Sequence, residues 1–439
     1  MSSTRHDHRI VWCRAARIGL VVLACAAVGG HGERSSNAKL AFAWKFDGKA
    51  GGGGPSSGLI EGANGVLYGT AYTGAAGFGV VYSLAKPRGG AWAEKPLWTF
   101  TGGADGADPT GRLIMDATGA LYGVTAGGAA YASGTLFKLT PPTQGQTDWT
   151  ETTLYTFTHA DDGGVPMGGL IADAQGNLYG TTTRYGQYGY GTVFKLSPPA
   201  QGQSTWTYTV LHGFTGGSDG GSPVASLIMD SRGDLFGTAP RGGKTLVSGA
   251  VFELINTHGG PYHEYTLYDF SGPDGLYPSA PLIADTTGNL YSTAPFGGTF
   301  GQGVAFELSP PAQKGGAWTE TTIWNFSTAS GVMYPFGGLL ADANGNLFGA
   351  GFGYANSTYV QTPSTIFELT PPAQQGQDWA QTTIATVASR LGFDLYWPLL
   401  AMGNGTLIAT AQQVGKNTDT GGRHQTGDVL EITGSGFAP

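Results

Sequence analysis

Four acidic, glycine-rich segments hold carboxylates at spacings that suit acid–base chemistry: Asp105 with Asp108, the pair Asp161 and Asp162, Asp219, and Asp274. Two carboxylates flanking a glycosidic bond can divide the acid and base roles of its cleavage. Asp105, Asp161, Asp162 and Asp219 are therefore the candidates if the chain is a polysaccharide lyase or glycoside hydrolase. A nucleophile is harder to place. "GGSDG" at 216–220 fits G-x-S-x-G, but that motif works on a strand-to-helix elbow. It aligns with "GGADG" at 102–106, where Ala104 takes the place of Ser218, so the serine reads as a loop residue. The 8 histidines form no HExxH or HxxxH pair, and no zinc site is expected. No catalytic residue is assigned and no cofactor is expected.

A second set of aspartates has a different setting. Asp116, Asp173, Asp230, Asp285 and Asp342 each stand three residues before a glycine. An aspartate there can accept the backbone N–H two residues on, while glycine supplies the positive φ of a tight hairpin. A calcium site needs six to eight converging oxygens, and these residues fall in separate units of the chain. They read as turn residues.

Aromatic side chains gather in other glycine-rich loops: Tyr72, Phe78, Tyr131, Tyr185, Tyr188, Tyr190, Phe296, Phe300, Phe352, Tyr354 and Tyr359. Rings beside carboxylates suit neutral polyols, through stacking and hydrogen bonds. The segment Arg184–Gly191, "RYGQYGYG", is the most concentrated example. Two longer insertions, Gly351–Ser364 and Gln412–Gly427, break the pattern most. The second carries Lys416, Asp419, Arg423 and His424, with Asp428 just after it. Tyr185, Tyr188, Tyr190, Asp105, Asp161, Asp162, Arg423 and His424 are thus the expected ligand-binding residues. The alternative is that these loops pack on one another and only complete the fold.

The elements that position these loops repeat. "D-x-x-G-N-L-Y-G-T" recurs seven times, marked by Tyr68, Tyr122, Tyr179, Phe236, Tyr291, Phe348 and Ile408, at spacings of 54, 57, 57, 55, 57 and 60 residues. Each copy holds four strand-like runs, A to D. In the third they are 169–173, 177–182, 192–197 and 206–214. Apolar residues on both faces suit sheets sandwiched between sheets. Pro pairs such as Pro198–Pro199 end run C, and Trp149, Trp206, Trp318 and Trp379 open run D as packing residues. The last copy lacks its D run, while "AFAWKF" at 41–46 is a D run with nothing before it. Both defects vanish if the chain is an all-β seven-bladed β-propeller whose N-terminal strand closes the seventh blade. Run directions then place the acidic D–A loops and the aromatic B–C loops on one face. One propeller domain is expected over 39–439.

Composition narrows the partners. With 22 Lys+Arg against 30 Asp+Glu, the net charge of −8 excludes nucleic acid as an expected partner. Residues 1–38 read as a leader, with arginines before the apolar run 18–28, which is too short to span a bilayer. Cleavage after Ala26 or Ala38 fits, as does a lipoprotein-type box at Cys25. Cys13 and Cys25 are the only cysteines, so no disulfide is expected in the mature chain. No transmembrane segment is expected.

The motif "GLIADAQGNLYGTT…GTVFKLSPP" resembles the GloVer (Gloeo-Verruco) tandem-repeat family of exported bacterial proteins. The resemblance covers nearly the whole chain after the leader. It implies a secreted or surface-anchored repeat protein and brings no catalytic residues. The chain stops at "GSGFAP", so a C-terminal anchor is not expected. The reading is a secreted or periplasmic monomer that binds a polysaccharide or a surface protein at the loop face. The rivals are an enzyme acting through that face and a purely structural envelope repeat.

Overall fold

The computed structural model describes residues 22–23, 38–48, 51–88, 90–313, 316–355, 360–374, 377–387, 393–413 and 426–439. Seven antiparallel sheets follow one another along the chain. The third blade shows the plan: Ile171–Ala172 (A), Leu178–Thr182 (B), Thr192–Ser197 (C) and Thr207–Gly213 (D), paired in that order. In the seventh, Lys39–Phe46 pairs with Thr426–Thr433, Lys39 opposite Thr433. The N-terminal strand therefore closes the ring, as the run order predicts. The two-residue strand Val22–Leu23 lies parallel to Ala284 and Asp285 in the fifth sheet.

A shared irregularity identifies the closing strand as a true D strand. In every blade the C–D register slips by one residue, bypassing Leu97, Leu154, Leu211, Leu267, Ile323 and Ile384 in blades 1 to 6. The closing strand slips at Ala43, the equivalent position. Such bulges bend and twist the outer strand.

The core consists of seven apolar clusters, one between each pair of neighbouring blades. A buried aromatic pair recurs in six of them. The phenylalanine ending strand D meets a ring on strand C of the next blade, as in Phe157–Phe194 at 5.7 Å and Phe270–Phe306 at 5.0 Å. Phe46–Tyr82 at 5.0 Å makes the same contact across the closure. Between blades 6 and 7 the equivalent residues, Val387 and Leu430, are aliphatic. The tryptophans pack as expected: Trp149 meets Tyr68 and Trp318 meets Phe236, each from a neighbouring blade.

Candidate functional site

The five turn aspartates bind their own hairpins. Asp173 Oδ1 accepts the N–H groups of Gln175 and Asn177, both at 2.9 Å, and Oδ2 accepts Asn177 Nδ2 and Tyr179 Oη. Asp116, Asp230, Asp285 and Asp342 repeat the two backbone bonds. No cluster of three metal-ligating side chains occurs among the described residues.

The D–A and B–C loops share the opposite face. Isolated bridges join them at Gly164–Arg184, Gly221–Arg241, Leu276–Phe296 and Met333–Phe352. Four of the D–A acids are bound inside their own loops. Asp105, Asp162, Asp219 and Asp274 each follow a threonine or serine by three or four residues and accept that residue's N–H and hydroxyl. Asp105 binds Thr101 at 2.9 and 2.6 Å, and Asp162 binds Thr158 at 2.8 Å twice and Tyr155 Oη at 2.9 Å. Asp219 binds Thr215 through both groups and His212 Nε2 at 3.2 Å. Burial opposes ionisation of Asp219, but the bonds from His212 and Thr215 outweigh it and hold the carboxyl below its ordinary range. Asp274 behaves alike: burial opposes, while Tyr268 and Ser271 prevail. Asp219 and Asp274 are thus held as ionised acceptors, a poor starting point for a general acid, and the oxygens of Asp105 and Asp162 are likewise taken up by their own loops. Asp161 is exposed beside Asp162. The Ser218 side chain is exposed too, with no helix elbow beneath it.

The aromatic loops are only partly self-packed. Tyr185 stacks on His159 at 4.3 Å, and Phe78 lies over Gly102, where a Cβ would come within 2.6 Å of the ring. Tyr190 covers Gly216 in the same way. Yet Tyr188 is 51% exposed, Phe300 59% and Leu246 78%. Of the 11 exposed large hydrophobic residues described, Phe78, Tyr131, Tyr188, Tyr190, Leu246, Val247, Phe296 and Phe300 all stand on B–C loops. Arg423, His424 and Cys25 lie outside the described residues.

Sequence reading assigned no residue to the central opening. The segments leading into strand A form an inner ring, for which residues 109–112, 166–169, 223–226, 278–281 and 335–338 align. The residue before the proline is left-handed in five blades: Asp108, Val165, Ser222, Tyr277 and Tyr334, with φ from 49° to 62°. A β-branched residue such as Val165 is strained there. Below them the ring tightens: Gly111, at φ 67°, leaves 2.7 Å between a would-be Cβ and the backbone of Gly168. On the side of blades 5 to 7 an aromatic arc borders the opening. Tyr277, Tyr334 and Phe336 gather around Phe296 at 6.1, 5.6 and 5.7 Å, and Phe336 continues to Tyr396 at 6.0 Å. Phe352 backs this end, 5.2 Å from Phe336 and 4.8 Å from Tyr396. In blade 2 the inner strand carries Asp108 and Arg112, both partly open to solvent, with Thr110 buried between them. Burial pushes the Asp108 carboxyl up. The signal was present in the repeats: the position after the proline holds Ser56, Thr110, Met167, Val224 and Ser279, then Phe336, with Tyr396 its counterpart in blade 7.

The sequence pattern of the Gloeobacter/Verrucomicrobia repeat family matches residues 34–207 and 176–424. No curated protein matches the chain. Among solved structures, the polysaccharide lyase Uly1 is similar with 10% identity and a TM-score of 0.43, over 86% of this chain and 89% of that one. A gluconolactonase from Xanthomonas campestris is similar with 14% identity and a TM-score of 0.40, over 96% and 99%. A Dyadobacter fermentans protein of unknown function has 13% identity and a TM-score of 0.39, over 90% and 99%.

Proposed function

The chain belongs to the Gloeobacter/Verrucomicrobia repeat family, and from that premise we propose that it is an exported, non-catalytic propeller that binds glycans through its loop face. One observation carries the reading. Most exposed large apolar side chains stand on the B–C loops of a single face, where a sugar ring would stack on them. The neighbouring acids are engaged in holding their own loops. Tyr188 and Phe300 are the principal stacking rings, with Tyr185, Tyr190 and Asp161 beside them.

Glycan-array binding of the mature protein tests this, compared with Tyr188→Ala/Phe300→Ala. The expected result is binding to a defined glycan set, weakened at least tenfold in the variant. Unchanged binding in the variant would remove the site from this face. Release of reducing ends or unsaturated sugars from a bound polysaccharide would replace binding with cleavage.

A further inference from the structure

Arg112 breaks the inner ring. The equivalent positions hold Gly58, Gly169, Ser226, Pro281, Gly338 and Pro398, so this is the one charged residue at its level. The ring is close-packed there. A Cβ on Gly169 would lie 2.8 Å from both Arg112 N and Ser226 Oγ, and one on Gly58 would meet Pro398 O at 3.3 Å. Arg112 Nε donates to Leu59 O at 3.1 Å, across to the inner strand of blade 1. No other hydrogen bond and no ion pair engages the guanidinium among the described residues, so both Nη groups keep their donors. Protein surrounds the group deeply enough for desolvation to lower its pKa. The residue nevertheless keeps partial solvent contact, as expected of a side chain lining an axial opening. Asp108, four residues away on the same strand, is shifted by burial alone and gives no sign of an ion pair with it.

A buried cation without an anion is costly. A guanidinium with free parallel N–H groups is also the side chain best shaped to receive a carboxylate. Thr110 stands two residues before Arg112 on the inner strand of blade 2, with the left-handed Gly111 turning the chain between them. Phe336 and Tyr396 stand at the aligned ring positions of blades 6 and 7, both partly exposed. We propose that the axial opening is a binding site for a ring-bearing carboxylate. The acid group pairs with Arg112 and the ring lies against Phe336 and Tyr396. Resting on the glycan reading above, the favoured ligand is an acidic sugar of the uronate type, entering from the loop face.

The test uses D-glucuronate, D-glucose and benzoate as probes, titrated at constant ionic strength into the mature protein and followed by ligand-observed NMR. Glucuronate should bind at least tenfold tighter than glucose. Arg112→Gln should abolish that preference, Arg112→Lys should keep part of it, and Phe336→Ala should weaken both sugars. Circular dichroism confirms that each variant is folded. Equal binding of glucuronate and glucose, no binding of glucuronate, or a preference that survives Arg112→Gln would each overturn the proposal. Benzoate binding as tightly as glucuronate, and lost in Arg112→Gln, supports the carboxylate site and assigns it to aromatic acids instead. Tyr188→Ala/Phe300→Ala leaves the Arg112-dependent preference intact, which separates failure of this site from failure of the loop-face reading.

Discussion

Asp219 shows how one side chain can resemble a catalytic acid and serve as a brace. Its two oxygens take the Thr215 N–H, the Thr215 hydroxyl and His212 Nε2, so removing them takes three bonds from a partly buried loop. Asp219→Ala should cost about 1–3 kcal/mol, read as a lower urea midpoint at unchanged m-value. The bracing was legible in principle, since a threonine or serine stands three or four residues before each of these acids. It was outweighed by the chemistry that unpaired carboxylates would offer. The hairpin aspartates were read correctly because the D-x-x-G spacing fixes both the acceptor and the positive φ. Arg112 and Phe336 escaped notice for another reason: their meaning lies in which neighbours surround them across the ring, and no local pattern encodes that.

Strands B and C were legible because both their faces are buried, giving continuous apolar runs. The A strands shrink to two or three residues in blades 3 to 6, because the inner ring is held by contacts between blades. Hydroxyl groups on strand B form part of that network. Thr238 Oγ1 donates to Ala280 O at 3.0 Å and Thr293 Oγ1 to Pro335 O at 2.7 Å. Thr410 Oγ1 reaches Ser57 O at 3.1 Å across the closure. Thr293→Val keeps the shape and leaves a buried carbonyl unpaired, so it should destabilise by about 1–2 kcal/mol in a urea titration. Blade 6 carries Ala350 at this position and an aliphatic pair where the others have rings. The 6–7 interface thus lacks both devices.

At the scale of the molecule, the ring sets the response to pH. Burial pushes the carboxyls of Glu94, Glu253 and Glu320 up to about 7 and that of Asp428 up to about 6. Neighbouring acids add to the effect for the three glutamates, while Lys45 opposes it for Asp428. Between their ordinary values and these, the folded state holds more protons than the unfolded one. Stability therefore falls as pH rises from the ordinary carboxylate range to about 7. Asp116, Asp219 and Asp274 act oppositely, since their hydrogen bonds outweigh burial and keep them ionised. Their contribution is lost as pH falls below the ordinary aspartate range. Urea midpoints measured from pH 3 to 9 should peak at about pH 4 to 4.5, and a plateau extending to pH 8 would contradict the buried-acid account.

The closing strand has a mechanical consequence. Lys39 and Thr433 sit opposite each other at the same end of the seam, so tension applied between the two ends of the fold would load one rung at a time. The seam would peel like a zipper, at far lower force than strands sheared along their length. A tether attached at only one end would leave it unloaded.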